Sequence, residues 1–597
     1  MTQAGERDWL SPGNTAEAVP AAFRQTVLRP TPEAASQEEV SVSEALVNVL
    51  VALGAEHVFG IIGGGIAPFC EAASRSSLRF VHCRHEGGAA FAAIEASLAT
   101  GRLTVVVATT GPGLSNLLTG MLAARYEGAK VLFVSGCTAA AQRGRGAFQE
   151  TSGSGPYAPF FATGSLFHHA QIVEHPAELG PLASRLASGV ARPNGFVAHV
   201  GLPLAVQTAR AQSLPRPGLT RLAAPAPDRG SVAHAAELLK SAPFVIWAGF
   251  GARHAAPWVL DLAEASGARV MCSPRGKGVV PEDHPLFLGV AGLGGHPQVE
   301  DYLRERKPAR ALVLGSRLSE MTSFWSQDLL PPEGLVHVDL DESVFGAAYP
   351  NATTLGVQAE IGSFIQELLP YFDYSPMKSA VIQIRPRSPR AEPPPRAEGP
   401  VRPSYLMAAL QRYVVDESDA IVLTEAGNSF MLGSHYLRFQ SAGRYRSSTT
   451  FGSMGQAAGG VLGAALGRGK AVALVGDGSM LMLNEMNTAA QYGINAVWVV
   501  LNDSAYGMIA QGMRSLGWKP FEVDFPRADF VAIANGMGVP GARVEKEGDL
   551  RSALERAMRA TGPFVVDVQI DPNEKPPANR RNQSLVKQGV TKDRVKR

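Results

Sequence analysis

Short apolar runs, each followed by a stretch with helical periodicity, recur along most of this chain of 597 residues. This alternation is typical of parallel β-sheets covered by helices. We therefore expect an α/β fold with doubly wound parallel sheets, in which ligands bind beyond the carboxyl ends of the strands. Functional residues should follow directly after the apolar runs, the clearest of which are residues 103–108, 130–135, 244–248, 311–314, 420–424, 470–475 and 496–501.

Proline-rich segments divide the chain into three such domains. The N-terminal residues are rich in Pro, Ala, Glu and Gln without periodicity, which predicts a flexible extension. The basic end of the chain is either a disordered terminus or a lid over a site. The predicted boundaries are 1–39 for the extension, 40–208 for the first domain, 209–228 for a linker, 229–372 for a middle nucleotide-type (Rossmann-like) domain, 373–401 for a proline-rich linker, 402–572 for the third domain and 573–597 for the basic tail.

Composition argues against several classes of function. The formal net charge is only +2 and 45% of the residues are hydrophobic, so we expect several buried cores and no nucleic-acid partner. The sequence has no run of 18 apolar residues and a charged N-terminus, which argues against membrane spanning and secretion. The cysteines lack metal spacing and are typical of reduced thiols, which favours a cytoplasmic protein. They are Cys70, Cys83, Cys137 and Cys272.

A glycine turn with an acidic residue ends the apolar run at residues 470–475. The turn, Gly476-Asp477-Gly478-Ser479, opens into a helical pattern, which places a carboxylate and free N–H groups at a helix N-terminus. The next apolar run brings Asp503 to the same sheet edge, 26 positions after Asp477. A Gly-Asp-Gly turn alone is common. Together, the two acids favour a metal ion clamped to a diphosphate.

This pattern resembles the cofactor signature of thiamine-diphosphate enzymes, in which Gly-Asp-Gly is followed one strand later by paired asparagines. Asp503 stands in place of the second asparagine, and its carboxylate is an equally hard oxygen ligand. The resemblance implies that Asp477, Asp503 and the carbonyl of Ala505 bind Mg²⁺. It also implies that thiamine diphosphate is the cofactor and that it contacts Gly476, Gly478, Ser479, Tyr506, Gly507 and Met508.

The first domain also carries an acid where an extended run gives way to a helix, as Asp477 does in the third domain. In Arg84-His85-Glu86-Gly87-Gly88, Glu86 lies where an extended run gives way to a helix of small residues. Such an acid by itself is more often a helix cap than a catalyst. The segment is similar to the Arg-His-Glu motif of acetolactate-synthase-like enzymes. The resemblance implies that Glu86 contacts N1′ of the cofactor pyrimidine and promotes loss of the thiazolium C2 proton.

Further motifs occur in the order that this family has. Residues 59–64 resemble its first glycine loop, although Ile62 replaces the usual proline, and Met454 resembles the apolar wedge that bends the cofactor into a V shape. Each motif alone could equally be a turn or core packing. The resemblance assigns the substrate side of the site to Phe148 and Gln149, and cofactor contacts to Gly63, Gly64, Gly113, Asn116, Gly427, Asn428, Ser429 and Gly452.

The middle domain gives a weaker pattern. Gly249-Phe250-Gly251 follows an apolar run but lacks the third glycine of a dinucleotide fingerprint. Acetolactate synthases hold flavin near such loops, yet Gly315-Ser316-Arg317 is followed here by Leu318 rather than by the family's Phe-Asp-Asp-Arg. FAD is therefore a candidate cofactor that this departure argues against. A nucleotide-dependent oxidoreductase would need a hydride-transfer site, and the sequence indicates none.

The choice of reaction depends on the residues near the substrate. Pyruvate-decarboxylase-type enzymes use paired histidines in this region to protonate the intermediate and release an aldehyde. Here Phe148-Gln149 occupy the region, and His168-His169 come about 20 positions later. We therefore predict a carboligase that decarboxylates a 2-oxo acid and joins the acyl unit to a second 2-oxo acid or an aldehyde. A non-coupling decarboxylase and an inactive regulatory relative are the alternatives.

The resemblance also implies an assembly. In the family, the domain that carries the glutamate faces the metal-binding domain of another chain. Glu86 and Asp477 of one chain would then serve different sites. We therefore expect a homodimer or a homotetramer.

Overall fold

Three parallel β-sheets of six strands each form the framework of the protein, and the computed structural model describes residues 39–164, 166–214, 222–372, 393–574, 576–577, 584 and 589. Helices cover each sheet, which confirms the predicted α/β class with three doubly wound domains. The predicted extension up to residue 38, residues 373–392 of the second linker and most of the basic tail lie outside the described residues.

The first domain alternates strands and helices. Its elements are β1 (Glu39–Ser41), α1 (Val42–Ala52), β2 (His57–Gly60), α2 (Ala67–Ser74), β3 (Arg79–His82), α3 (Glu86–Thr100), β4 (Thr104–Ala108), α4 (Pro112–Asn116), α5 (Leu118–Glu127), β5 (Lys130–Cys137), β6 (His169–Ile172), α6 (Leu179–Val190), β7 (Phe196–Pro203), α7 (Leu204–Gln207) and β8 (Arg210–Gln212). The parallel strands lie in the order β3-β2-β4-β5-β7-β6. The short strand β8 pairs antiparallel with β1 and lies within the segment predicted as the first linker.

The middle domain has a different strand order. Its elements are α8 (Arg229–Lys240), β9 (Phe244–Ala248), α9 (Ala256–Ser266), β10 (Arg269–Cys272), β11 (Phe287–Val290), α10 (Pro297–Arg306), β12 (Arg310–Leu314), α11 (Glu320–Ser323), β13 (Leu335–Asp339), β14 (Thr354–Gln358) and α12 (Ile361–Leu368). The strands lie in the order β11-β10-β9-β12-β13-β14. This is the order of dinucleotide-binding folds, with the switch point between β9 and β12.

The third domain repeats the strand order of the first. Its elements are α13 (Pro403–Leu410), β15 (Ile421–Thr424), α14 (Asn428–Tyr436), β16 (Tyr445–Ser447), α15 (Gln456–Arg468), β17 (Ala471–Gly476), α16 (Asp477–Met482), α17 (Met486–Tyr492), β18 (Ala496–Asn502), α18 (Gly507–Ser515), α19 (Phe530–Gly536), β19 (Gly541–Val544), α20 (Glu547–Arg559) and β20 (Phe564–Gln569). The strands lie in the order β16-β15-β17-β18-β20-β19. Counted within each domain, the first and third sheets share the order 2-1-3-4-6-5.

Two helices rich in small residues join the first and third domains. α3 is buried on nearly all sides, and α15 packs against it. A Cβ added at Gly463 of α15 would collide with the carbonyl oxygen of Ala92 in α3, so glycine is what allows the two backbones to approach. A buried ion pair between Glu95 and Arg446, 3.0 Å apart, adds to this contact. The two helices begin beside predicted cofactor residues, Glu86 and Met454.

Candidate active site

Two aspartates meet at the carboxyl edge of the third sheet. Asp477 begins α16 directly after β17, and Asp503 follows β18, the neighbouring strand. Burial raises the pKa of Asp477, which is 1% exposed, to about 6. Burial, together with the charge of Asp477, raises the pKa of Asp503 to about 7. A divalent cation would stabilise two buried acids that repel each other in this way.

Backbone groups fix the two sides of Asp477. The N–H of Gly478 donates to Oδ1 at 2.8 Å, and the N–H of Ser504 donates to Oδ2 at 2.7 Å. The carbonyl of Ala505, the third predicted ligand, accepts a hydrogen bond from the N–H of Gly507 at 2.8 Å. A carbonyl oxygen has a second lone pair, so this bond leaves Ala505 able to bind a metal.

Asn428, at the start of α14, reaches the same edge. A Cβ added at Gly507 would lie 2.6 Å from Oδ2 of Asp503 and 3.1 Å from Nδ2 of Asn428, so the three residues converge on a space that only glycine leaves open. Oδ1 of Asn428 is buried without a hydrogen-bond partner among the described residues, as is Oε1 of Gln511. Asn428, Asp503 and Gln511 line a cavity of about 10 Å³, room for one water molecule.

These groups fit a magnesium ion bound together with a diphosphate. Nowhere in the described ranges do three or more His, Cys, Asp or Glu side chains cluster as metal ligands. A metal at this edge would therefore have two carboxylates and a carbonyl from the protein. Mg²⁺ characteristically takes one or two carboxylates and completes its octahedron with phosphate oxygens and water.

Met454 lies over the Gly-Asp-Gly turn. Its loop is shaped by Gly452 and Gly455, whose φ angles of 67° and 83° favour glycine. Its Cε lies 3.6 Å from the position that a Cβ would take on Gly478, and Cε1 of Tyr506 lies 2.7 Å from the same position. The structure therefore brings Met454, Tyr506 and the aspartate edge together. Met508, in contrast, packs against a small cluster that includes Phe430 and Met431.

Glu86 occupies the equivalent edge of the first sheet, at the start of α3. The residue is only 7% exposed, and its Oε2 accepts a hydrogen bond from Nδ2 of Asn116 at 3.0 Å. A Cβ added at Gly113 would lie 3.2 Å from Oε1 of Glu86. Asn116 and Gly113, both predicted from sequence, therefore frame this carboxylate.

The remaining residues predicted for the first-domain side of the site are Gly63, Gly64, Phe148 and Gln149. A Cβ added at Gly63 would meet the Thr109 side chain at 2.5 Å, whereas Gly64 faces open space. Gln149 has a positive φ of 54°, and its Oε1 accepts a hydrogen bond from the Thr110 hydroxyl at 3.3 Å. Phe148 is 90% exposed in the single chain.

The glycine loops of the middle domain are engaged with each other. The N–H of Gly251 donates to the carbonyl of Gly315 at 2.9 Å across the switch point. The ring of Phe250 lies between two guanidinium groups, 3.9 Å from those of Arg253 and Arg275. The N–H of Gly251 is therefore not available to a phosphate group in this arrangement.

Sequence reasoning missed two buried glutamates. Glu425 follows β15; its Oε2 accepts the Ala457 N–H at 2.9 Å, its Oε1 has no partner among the described residues, and burial raises its pKa to about 7. The hydroxyl of Ser429 donates to the carbonyl of Glu425 at 3.1 Å, which places Ser429 inside this loop. Glu485 lies between α16 and α17 and contacts the first domain. Both acids come soon after an apolar run, residues 421–423 for Glu425 and residues 480–483 for Glu485, which was the available signal.

Comparison with known proteins agrees with this geometry. Three family descriptions match the chain: thiamine pyrophosphate enzyme, N-terminal TPP binding domain, over residues 40–155; central domain, over residues 232–368; and C-terminal TPP binding domain, over residues 425–568. Together they span more than half of the chain. The chain belongs to the thiamine pyrophosphate enzymes.

Within this family, the chain resembles acetolactate synthase large subunits. It is 28% identical over 548 residues to the acetolactate synthase isozyme 1 large subunit of Escherichia coli, covering 89% of this chain and 94% of that one. It is 27% identical over 561 residues to a probable acetolactate synthase large subunit of Methanocaldococcus jannaschii, covering 89% and 92%. A putative thiamine pyrophosphate-containing protein of Bacillus subtilis, YdaP, is 26% identical over 547 residues, covering 89% and 92%. Across the described ranges, every helix is too short or too polar to cross a membrane.

Proposed function

We propose that this protein is a magnesium- and thiamine-diphosphate-dependent carboligase. It would decarboxylate a 2-oxo acid and join the acyl unit to a second 2-oxo acid or an aldehyde. The observation that carries the proposal is the division of chemistry between two equivalent sheet edges: a pair of aspartates on the third sheet and a framed glutamate on the first. The likeness to acetolactate synthase large subunits supports the same reaction class.

The third domain would hold the charged end of the cofactor. Asp477, Asp503 and the Ala505 carbonyl would bind the metal, and Asn428 would donate to the diphosphate. Met454 would press on the bent cofactor from above the turn. When bound, thiamine diphosphate supplies a carbon nucleophile that adds to a 2-oxo acid and accepts the electrons released with carbon dioxide.

Glu86 would control the proton that must leave before the cofactor can react. Its carboxylate would hydrogen-bond N1′ of the pyrimidine, while Asn116 fixes Oε2 and Gly113 leaves room beside Oε1. Burial excludes water from this contact, so the proton exchange is confined to the glutamate and the ring.

The residues predicted for the substrate side of the site favour coupling over aldehyde release, because they include no acid that would protonate the intermediate. Gln149 is tied to Thr110 and offers an amide, which does not act as an acid. The two histidines that come about 20 positions later in the chain have other partners: His168 contacts Arg125, and Nε2 of His169 lies 2.9 Å from Oε1 of Gln171. An intermediate that is protonated slowly has time to attack a second carbonyl group.

The reaction is tested by mass spectrometry of the products formed from single 2-oxo acids and from pairs, with thiamine diphosphate and Mg²⁺ present. Coupled 2-hydroxy-2-acyl acids or acyloins are expected. Aldehyde as the sole product would move the assignment to a non-coupling decarboxylase. No consumption by cofactor-loaded protein would contradict catalysis of this class and favour a regulatory relative.

A homodimer, or a homotetramer built from it, would complete the site. Phe148 is 90% exposed in the single chain, and two of the helices that follow the aspartates carry exposed apolar side chains, Met482 in α16 and Ile509 in α18. A second copy would cover these surfaces. Mixing Glu86→Gln chains with Asp477→Ala chains tests this arrangement, because only shared sites allow two inactive chains to restore activity in a hybrid.

A further inference from the structure

The loop that carries Glu86 is held by a carboxylate from the third domain. Glu485 lies between α16 and α17, and its side chain is fully buried. Its Oε2 accepts the N–H of Arg84 at 2.9 Å, and its Oε1 accepts the N–H of His85 at 3.0 Å. The two residues immediately before Glu86 thus donate their backbone N–H groups to one side chain.

Helix α17 adds three more contacts to the same loop. Nε of Arg84 donates to Oδ1 of Asn487 at 2.7 Å, and Nη2 donates to Oε1 of Gln491 at 2.6 Å. The N–H of His82 donates to the hydroxyl of Tyr492 at 2.9 Å. We call this set of contacts from Glu485 and α17 to residues 82–85 the loop clamp.

Local chemistry explains why a carboxylate holds this position. The N-terminus of α3 carries a partial positive charge, which favours an anion. A Cβ added at Gly88 in the first turn would collide with the Glu485 carboxylate, so the helix start and the acid are in direct contact. The hydroxyl of Thr488 donates to Oε2, which orients the carboxylate from its other side.

We propose that Glu485 is a positioning residue that fixes the direction of the Glu86 carboxylate and thereby sets the rate of the proton step. Glu485 does so through the backbone of residues 84 and 85, without contact to substrate or cofactor. The segment from Asp477 to Glu485 is short, so the loop clamp also ties the aspartate edge of a chain to the glutamate edge of the same chain. This inference rests on the proposed function.

The test compares Glu485→Gln with Glu547→Gln. Glu547 is the control because its buried carboxylate also accepts two backbone N–H groups, those of Arg396 at 2.6 Å and Arg402 at 3.1 Å, besides its ion pair with the Arg402 guanidinium, and because it lies far along the chain from Glu86. Each substitution replaces one acceptor oxygen by an NH₂ group that faces an N–H donor. A general loss of stability should therefore appear in both variants.

For Glu485→Gln we expect kcat to fall by about 10- to 100-fold while the calorimetric Kd for thiamine diphosphate with Mg²⁺ stays within about threefold. Amide hydrogen exchange of residues 82–88, measured without cofactor, should accelerate in this variant alone. Glu547→Gln should keep wild-type kcat and wild-type exchange in that segment.

Wild-type kcat in Glu485→Gln, or equal losses of kcat in both variants, would overturn the inference. If Glu485→Gln does not fold, Tyr492→Phe removes one hydroxyl of the loop clamp and should still accelerate exchange at His82; unchanged exchange would count against the clamp. A wild-type protein that neither binds the cofactor nor turns over would refute the proposed function, whereas the amide exchange would still report on the clamp.

Discussion

The first and third domains share one strand order but present different chemistry at equivalent edges. After the third strand, the first domain has Thr109 and the third domain has Asp477; after the fourth strand, the pair is Thr138 and Asp503. After the second strand, the helices α3 and α15 begin beside Glu86 and Met454. One fold thus provides an ionic edge and a largely uncharged edge.

The difference teaches that, under the proposed function, a few side chains rather than the fold would assign the two halves of the cofactor to the two edges. The aspartate edge suits a metal ion because two carboxylates concentrate negative charge there, and the metal ion in turn attracts a diphosphate. The first-domain edge has hydroxyls, glycines and one framed carboxylate, which suit an aromatic ring with hydrogen-bonding nitrogens. The middle domain has a different strand order, and its glycine loops bond to each other across the switch point.

The largest effect is expected at the ionic edge. Asp477→Ala should abolish magnesium-dependent binding of thiamine diphosphate, which means a Kd more than about 100-fold higher, because one of two carboxylate ligands is lost. Calorimetric titration with and without Mg²⁺ measures this. Thr109→Ala, at the equivalent position of the first domain, should leave the metal requirement intact. Unchanged affinity in Asp477→Ala would refute the metal assignment.

The next largest effect is expected where α15 of the third domain packs against α3 of the first domain. Gly463→Ala should lower stability by about 1–3 kcal/mol, because its methyl group would push α15 away from Ala92. The thermal unfolding midpoint records the change. Gly548→Ala is the control: Gly548 lies in α20 with nothing within 4 Å of the added methyl group, so stability should hold or rise. Equal midpoints in the two variants would contradict close packing of α3 and α15.

Two buried residues at the same position of corresponding strands in the first and third domains should change the free energy of unfolding with pH in opposite directions. His199 is the fourth residue of β7, and Asp567 is the fourth residue of β20. Burial lowers the pKa of His199 to about 4 and raises the pKa of Asp567. Below about pH 6.5 the unfolded chain binds a proton that folded His199 rejects, so this histidine costs stability as the pH falls towards 4. Asp567 instead costs stability as the pH rises above about 3.8.

Denaturant titrations of His199→Gln and Asp567→Asn measure these effects. The stability of the wild type relative to His199→Gln should fall between pH 6.5 and pH 4, by up to about 3 kcal/mol. Its stability relative to Asp567→Asn should fall as the pH rises. If both stability differences changed with pH in the same direction, the opposite pKa shifts of His199 and Asp567 would be contradicted.

The sequence predicted the fold and the aspartate edge because both depend on local pattern. Apolar runs such as residues 471–476 and 496–502 are buried central strands, and parallel strands end at one edge, so Asp477 and Asp503 were expected at the same edge. Glu485 and Glu425 could not be assigned in this way. Their partners are backbone groups of other elements, and Glu485 bonds residues about 400 positions away in the chain. Met508 was predicted as a cofactor contact from its place in the motif. Its packing against the cluster that includes Phe430 depends on tertiary structure, which the motif does not show.

The central claim is that Glu86 governs proton loss while the aspartate edge holds the cofactor. Its most direct test is hydrogen–deuterium exchange at the thiazolium C2 of bound thiamine diphosphate, followed by NMR in wild type and Glu86→Gln. We expect the exchange rate to fall by about 100- to 10,000-fold in Glu86→Gln at nearly unchanged cofactor affinity. Exchange at the wild-type rate in a fully loaded Glu86→Gln protein would contradict the account.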